Sequence, residues 1–141
     1  MRHLRLLLAV FVLIALASPV FAIKPFYDEF KKDYLDTLKD KKFAESIDKG
    51  DSKCLICHQG KSKKNRNVFG KELAKLLTKK DGKDTKKIDA AFTKVLAMHV
   101  DPKNEKSETY MDRLNAGKWP GGDLEALKKE PAKGTAEEKK E

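Results

Sequence analysis

Cys54, Cys57 and His58 stand together in the run Cys54-Leu-Ile-Cys57-His58, and the two cysteines are the only ones in the chain. The spacing C-x-x-C-H is that of covalent haem attachment. Two thiols can add to the two vinyl groups on one edge of a porphyrin, and a separation of three residues puts both sulfurs on one side of a helical turn. The histidine comes next and can bring its imidazole under the iron as the proximal ligand. Other uses of two cysteines fit less well. A disulfide-exchange C-x-x-C opens a helix in a βαβ context, and no alternating strand pattern occurs in this sequence. Tetrahedral zinc needs four ligands at short paired spacings. After residue 22 the chain adds only His99 to the three motif residues, and the adjacent Cys57 and His58 make an awkward pair. A disulfide across one turn would constrain almost nothing.

The other face of the iron has three readings. Met111 lies 53 residues after His58 and follows a polar loop, Asp101 to Ser107; it reads equally as core packing beside Tyr110 and Leu114. His99 ends the apolar face of a helix and could point at a haem, or it could simply interact with that helix's C-terminus. Met98 falls off this face. The sixth position could also be vacant. A six-coordinate haem only passes electrons, whereas an open site can bind small gases or react with peroxide.

The segments around these residues read as an exported helical chain. Arg2 and Arg5 precede an unbroken apolar run, Leu6 to Ala17, and Val20-Phe21-Ala22 offers small residues for cleavage. Residues 1–22 are therefore expected to be a secretory signal peptide. The run is too short, and too closely followed by Pro19 and Lys24, for a membrane span, and no later segment is apolar enough. Cleavage would leave a mature chain of 119 residues, the length of one small domain. Phe26, Tyr27, Phe30, Tyr34 and Leu38 share one face of a first helix over roughly 26–48. It breaks near Lys41, resumes with Phe43 and Ile47 inward, and stops at Gly50. Phe69, Leu73, Leu76 and Leu77 predict a second amphipathic helix. Asp84 caps a third, with Ile88, Phe92, Val95, Leu96 and His99 on one face. Ser107 or Thr109 starts a fourth that stops at Gly117. Trp119-Pro-Gly-Gly122 is a turn before a short helix, Asp123 to Glu130. The charged stretch 131–141 reads as a frayed tail. Short helices of this kind bury little apolar surface, so a haem is expected to double as the core.

Charge is unevenly placed. The net charge is +9, and +7 once residues 1–22 are removed. Lys61 to Lys87 holds eleven basic and three acidic residues, whereas Lys24 to Gly50 and Ile88 to Glu141 are close to balanced. The excess is one block placed directly after the haem motif. Export argues against a nucleic-acid partner, and Lys61-Ser-Lys-Lys-Asn-Arg66 has no interleaved aromatic to stack on bases. The block reads either as a solvated lysine face or as a docking surface for an acidic redox partner.

Taken with export and the absence of other cysteines, Cys54-Leu-Ile-Cys57-His58 resembles the attachment site of the small monohaem c-type cytochromes. The stretches Arg66-Asn-Val-Phe-Gly-Lys-Glu-Leu73 and Leu114-Asn-Ala-Gly-Lys-Trp-Pro-Gly-Gly122 look like segments of secreted bacterial monohaem proteins. The four-helix-bundle type fits poorly, because 83 residues follow His58. The resemblance implies an all-α, cytochrome c-like domain over residues 23–130, with about four short helices around one covalent haem c. It implies thioethers at Cys54 and Cys57, and His58 as proximal ligand. Met111, or alternatively His99, would be the distal ligand. The expected function is a periplasmic or otherwise exported one-electron carrier, not an enzyme. The alternative is a five-coordinate haem protein that senses a ligand or has weak peroxidase activity. The chain departs from the commonest cytochrome c pattern after Met111, where no long C-terminal helix follows.

Overall fold

The computed structural model describes residues 24–132. The signal peptide expected over 1–22 and nearly all of the expected tail lie outside the described residues. The architecture is all-α. Helix α1 (Lys24–Phe30) runs into a π turn (Lys31–Leu35), and α2 (Lys41–Asp48) is followed by a 3-10 turn (Gly50–Ile56) that carries the cysteines. Then come α3 (Val68–Ala74), a second 3-10 turn (Lys79–Lys83), α4 (Thr85–Leu96), α5 (Tyr110–Asn115) and α6 (Leu124–Lys128). Among the described residues the only extended pairings are two isolated antiparallel bridges, His58 with Arg66 and His99 with Thr109. No helix among them is long and apolar enough to cross a membrane.

From α2 onward, each helix begins where a short polar side chain can serve its first free amides. The Asp40 carboxylate accepts from Phe43 N–H at 3.0 Å to start α2, and Asp84 accepts from Lys87 N–H at 3.0 Å to start α4. At α5 the Thr109 hydroxyl accepts from Asp112 N–H at 3.1 Å while Asp112 accepts from Thr109 N–H at 2.9 Å. This reciprocal pair satisfies two orphan donors at once. Asp123 accepts from Glu125 and Ala126 N–H to start α6. Gly117, at φ 70°, ends the α5 turn in the left-handed region that favours glycine.

The first helix breaks differently from the expectation. Helical backbone ends at Leu35, and Lys41 begins a new helix instead of interrupting an old one. Leu35 and Leu38 are both buried at this corner, so inward apolar anchors hold the bend. Tyr27 donates to Asp48 at 2.8 Å, and Lys31 pairs with the same carboxylate, which ties α1 to the end of α2.

The core is richer than the short helices suggest. Among the described residues twenty apolar side chains are buried, with Phe30, Phe69 and Phe92 at the centre of the core. Phe30 and Phe92 lie 5.2 Å apart between ring centroids, Phe69 and Phe92 6.3 Å, and Phe69 meets Tyr110 edge-on at 5.2 Å. Such ring pairs contribute about 0.5–1.5 kcal/mol each beyond their buried area. The described residues thus bury an apolar core of side chains drawn from most of the helices.

Candidate haem-attachment site

The motif turn is built from the two residues between the cysteines. Leu55 and Ile56 are buried, Ile56 at 1% exposure, and their insertion into the core fixes the turn. Gly50, at φ 58°, brings the chain out of α2 into it. The Cys54 carbonyl accepts from Cys57 N–H at 3.3 Å and from His58 N–H at 2.9 Å, closing one tight turn. With Leu55 and Ile56 committed inward, Cys54 and Cys57 remain half-buried, and both are free thiols. Two surface clefts, one lined by Lys31, Leu35 and Asp48 and one by Glu29, Thr85 and Asp89, contain none of the motif residues. The motif is a surface turn and does not line either cleft.

Burial pushes the Cys57 thiol up to about 12, helped by the neighbouring Cys54 and opposed by Arg66. At neutral pH Cys57 is therefore a thiol.

His58 is oriented by one bond. Its Nδ1 lies 3.3 Å from the Asn65 carbonyl oxygen. A carbonyl can only accept, so Nδ1 carries the proton and Nε2 keeps its lone pair. Burial holds the imidazole below its ordinary value; the Asn65 bond opposes this, and the charges of Arg66 and Lys63 add to it. A neutral ring with a free Nε2 is the form that ligates iron. The same Asn65 carbonyl also accepts from Gln59 N–H at 3.0 Å.

Asn67 fastens the turn to α3. It is 3% exposed, the one buried polar residue among those described. Its Nδ2 donates to the carbonyls of Leu55 at 2.8 Å, Ile56 at 3.0 Å and His58 at 3.3 Å. Its Oδ1 accepts from Gly70 N–H at 2.9 Å and so caps α3. Its own N–H donates to the Cys57 carbonyl at 3.1 Å. Two glycines permit this close packing. A Cβ at Gly70 would lie 2.0 Å from the Cys57 carbonyl oxygen, and one at Gly121 would lie 2.2 Å from Asn67 Nδ2.

The basic loop after the motif is closed from the far end of the chain. Glu130 accepts from Lys61 N–H at 2.8 Å, Ser62 N–H at 3.3 Å and Asn65 Nδ2 at 2.7 Å. Gly60 N–H donates to the Leu127 carbonyl at 2.7 Å. Lys61, Lys63, Lys64 and Arg66 are exposed on this loop.

The candidates for the sixth ligand lie after the end of α4, at Met98 and His99, and on α5, at Met111. His99 Nδ1 lies 2.5 Å from the Ser107 carbonyl, past the end of α4 and not on its face. Met111 and Met98 are half-buried and packed against the core. Among the described residues no group of three or more His, Cys, Asp or Glu side chains is placed to hold a metal ion by itself. The residues that sequence reasoning missed are Asn67, Gly70, Gly121 and Glu130. Only Asn67 carried a local signal, an N-cap residue type directly before an apolar-periodic segment.

The donor set of the motif suits a covalent haem: two free thiols on one turn and an imidazole with Nε2 available. No protein-family model, curated protein or solved structure matches the chain.

Proposed function

We propose that the chain is an exported monohaem c-type cytochrome that carries one electron at a time between redox partners. The observation that supports this best is His58, held by an acceptor-only carbonyl in the tautomer that frees Nε2, beside two unpaired cysteines on the same turn. Cys54 and Cys57 would hold the group as thioethers and His58 would bind its iron. Bound there, the haem would supply an iron that cycles between ferrous and ferric states. The chain's own part is to fix the turn through Asn67, to keep His58 neutral by burial, and to present the cations of residues 61–66 beside it. These cations favour a redox partner with an acidic face, whose reduction or oxidation by this protein slows as salt rises. A rate independent of ionic strength would remove the docking claim.

An in-gel haem stain of denatured protein, expressed in a host competent in haem attachment, tests the cofactor, since only covalent haem survives denaturation. Wild type stains; Cys54→Ser together with Cys57→Ser does not. An unstained wild-type band would sink the proposal. A second reading is an open-site haem protein that senses a ligand or has weak peroxidase activity. Fast, complete carbon monoxide binding to the reduced protein favours that reading, and no binding favours the six-coordinate carrier.

A further inference from the structure

We propose that Glu130 is a positioning residue for His58 and acts on it through Asn65. For its redox consequence this rests on the haem reading above; its geometry does not. Glu130 follows α6 and lies 65 residues from Asn65 in sequence. One carboxylate oxygen takes the amides of Lys61 and Ser62, and the other takes Asn65 Nδ2. It accepts from two backbone amides and one side-chain amide, all on the loop itself. The approach is so close that a Cβ at Gly60 would fall 2.5 Å from the Glu130 carboxyl carbon. Asn65 is thus held at its side chain by Glu130, while its backbone carbonyl receives His58 Nδ1–H.

The acceptor that fixes the imidazole is therefore itself fixed from the other end of the domain. This matters chemically. A firm Nδ1–H···O=C bond raises the basicity of Nε2 and sets the ring's orientation toward a metal. A more basic ligand favours the ferric state, so loosening Asn65 is expected to raise the reduction potential. A loop clamp with no further role would loosen residues 60–65 and leave His58 alone.

The test uses Glu130→Ala, Glu130→Gln and Asn65→Ala in the purified full chain. The readouts are the reduction potential and, by nitrogen-15 NMR, the tautomer and Nδ1–H exchange of His58. Glu130→Ala is expected to raise the potential and speed Nδ1–H exchange. Glu130→Gln should return both toward wild type, because its amide oxygen can still accept from Lys61 N–H. Its NH₂ can donate to an Asn65 amide turned over. Asn65→Ala should reproduce Glu130→Ala, and the double variant should add little, as expected for residues acting in series. The proposal is overturned if Glu130→Ala leaves His58 exchange and the potential unchanged while the Lys61 and Ser62 amides lose protection. It is equally overturned if the two alanine variants simply add. A chain found to carry no haem would defeat the functional proposal, and the NMR arm would still decide this one.

Discussion

Replacing Asn67 should separate the donor and acceptor halves of its side chain. In Asn67→Ala the α3 cap is lost, which costs about 1 kcal/mol. The carbonyls of Leu55, Ile56 and His58 also lose their shared donor. Nδ2 has only two hydrogens for these three acceptors, so the loss is counted as two bonds at most. Leaving a buried acceptor unpaired costs about 1–3 kcal/mol, so two of them and the cap total about 3–7 kcal/mol. For a domain of this size that is a fall in Tm of about 15–30 °C. Asn67→Asp keeps the acceptor that caps α3 but aims a carboxylate at three carbonyl oxygens. The native fold then favours the protonated acid, so the introduced carboxyl has a folded pKa above its unfolded value of about 3.9. Its penalty is full above the folded pKa and is relieved as pH falls through it, because the protonated acid can donate to one carbonyl. Urea unfolding followed by far-ultraviolet circular dichroism should rank Asn67→Asp below Asn67→Ala at pH 7 and above it near pH 4. The reasoning is refuted if Asn67→Ala unfolds like wild type, or if the two variants keep one order at both pH values.

Three further outcomes follow from the packing and the charges. Gly70→Ala gains about 1 kcal/mol of helix propensity but places a methyl 2.0 Å from the Cys57 carbonyl oxygen. The backbone contact cannot rotate away, so α3 must shift. A net loss of about 1–3 kcal/mol and faster reaction of Cys57 with a thiol reagent in haem-free protein are expected. Phe92→Ala, which removes a 2%-exposed ring touching Phe30, Tyr34 and Phe69, should cost about 3–5 kcal/mol in the same urea assay. The hydrogen bond from Lys31, and next that from Tyr27, hold the Asp48 carboxyl below its usual value. Its contribution is present above the unfolded carboxylate value and is lost as pH falls through the lowered folded one. Asp48→Asn should flatten that acid limb of the stability curve, and an unchanged acid limb would remove the assignment.

What could be read from sequence was what is local in sequence. The motif is five contiguous residues. The Asp84 cap precedes the Ile88, Phe92, Val95 and Leu96 face within a few positions, and both the cap and the buried face are present in the fold. Thr109 starts α5 and Gly117 ends it, again within one short window. The core was underestimated because each short helix buries few residues by itself. Its strength comes from Phe30, Phe69, Phe92 and Tyr110 meeting from four different elements. The His99 reading misplaced the residue by one structural step: its periodicity continues the α4 face, but the helix ends at Leu96 and the chain turns to bridge Thr109. Glu130 was out of reach altogether. A glutamate in a charged C-terminal stretch looks solvated, and its partners lie across long sequence separations.

The lock on the motif has an order in time. A chain is made from its N-terminus, so Cys54 to His58 emerge more than sixty residues before Gly121 and Glu130. Until those residues arrive, Asn67 has no Gly121 packed against it and the loop after His58 has no carboxylate to close it. During that interval the turn lacks both of these contacts. On the proposed reading, chemistry at the two sulfurs belongs to the unfinished chain, and completion of the C-terminal segment seals the result.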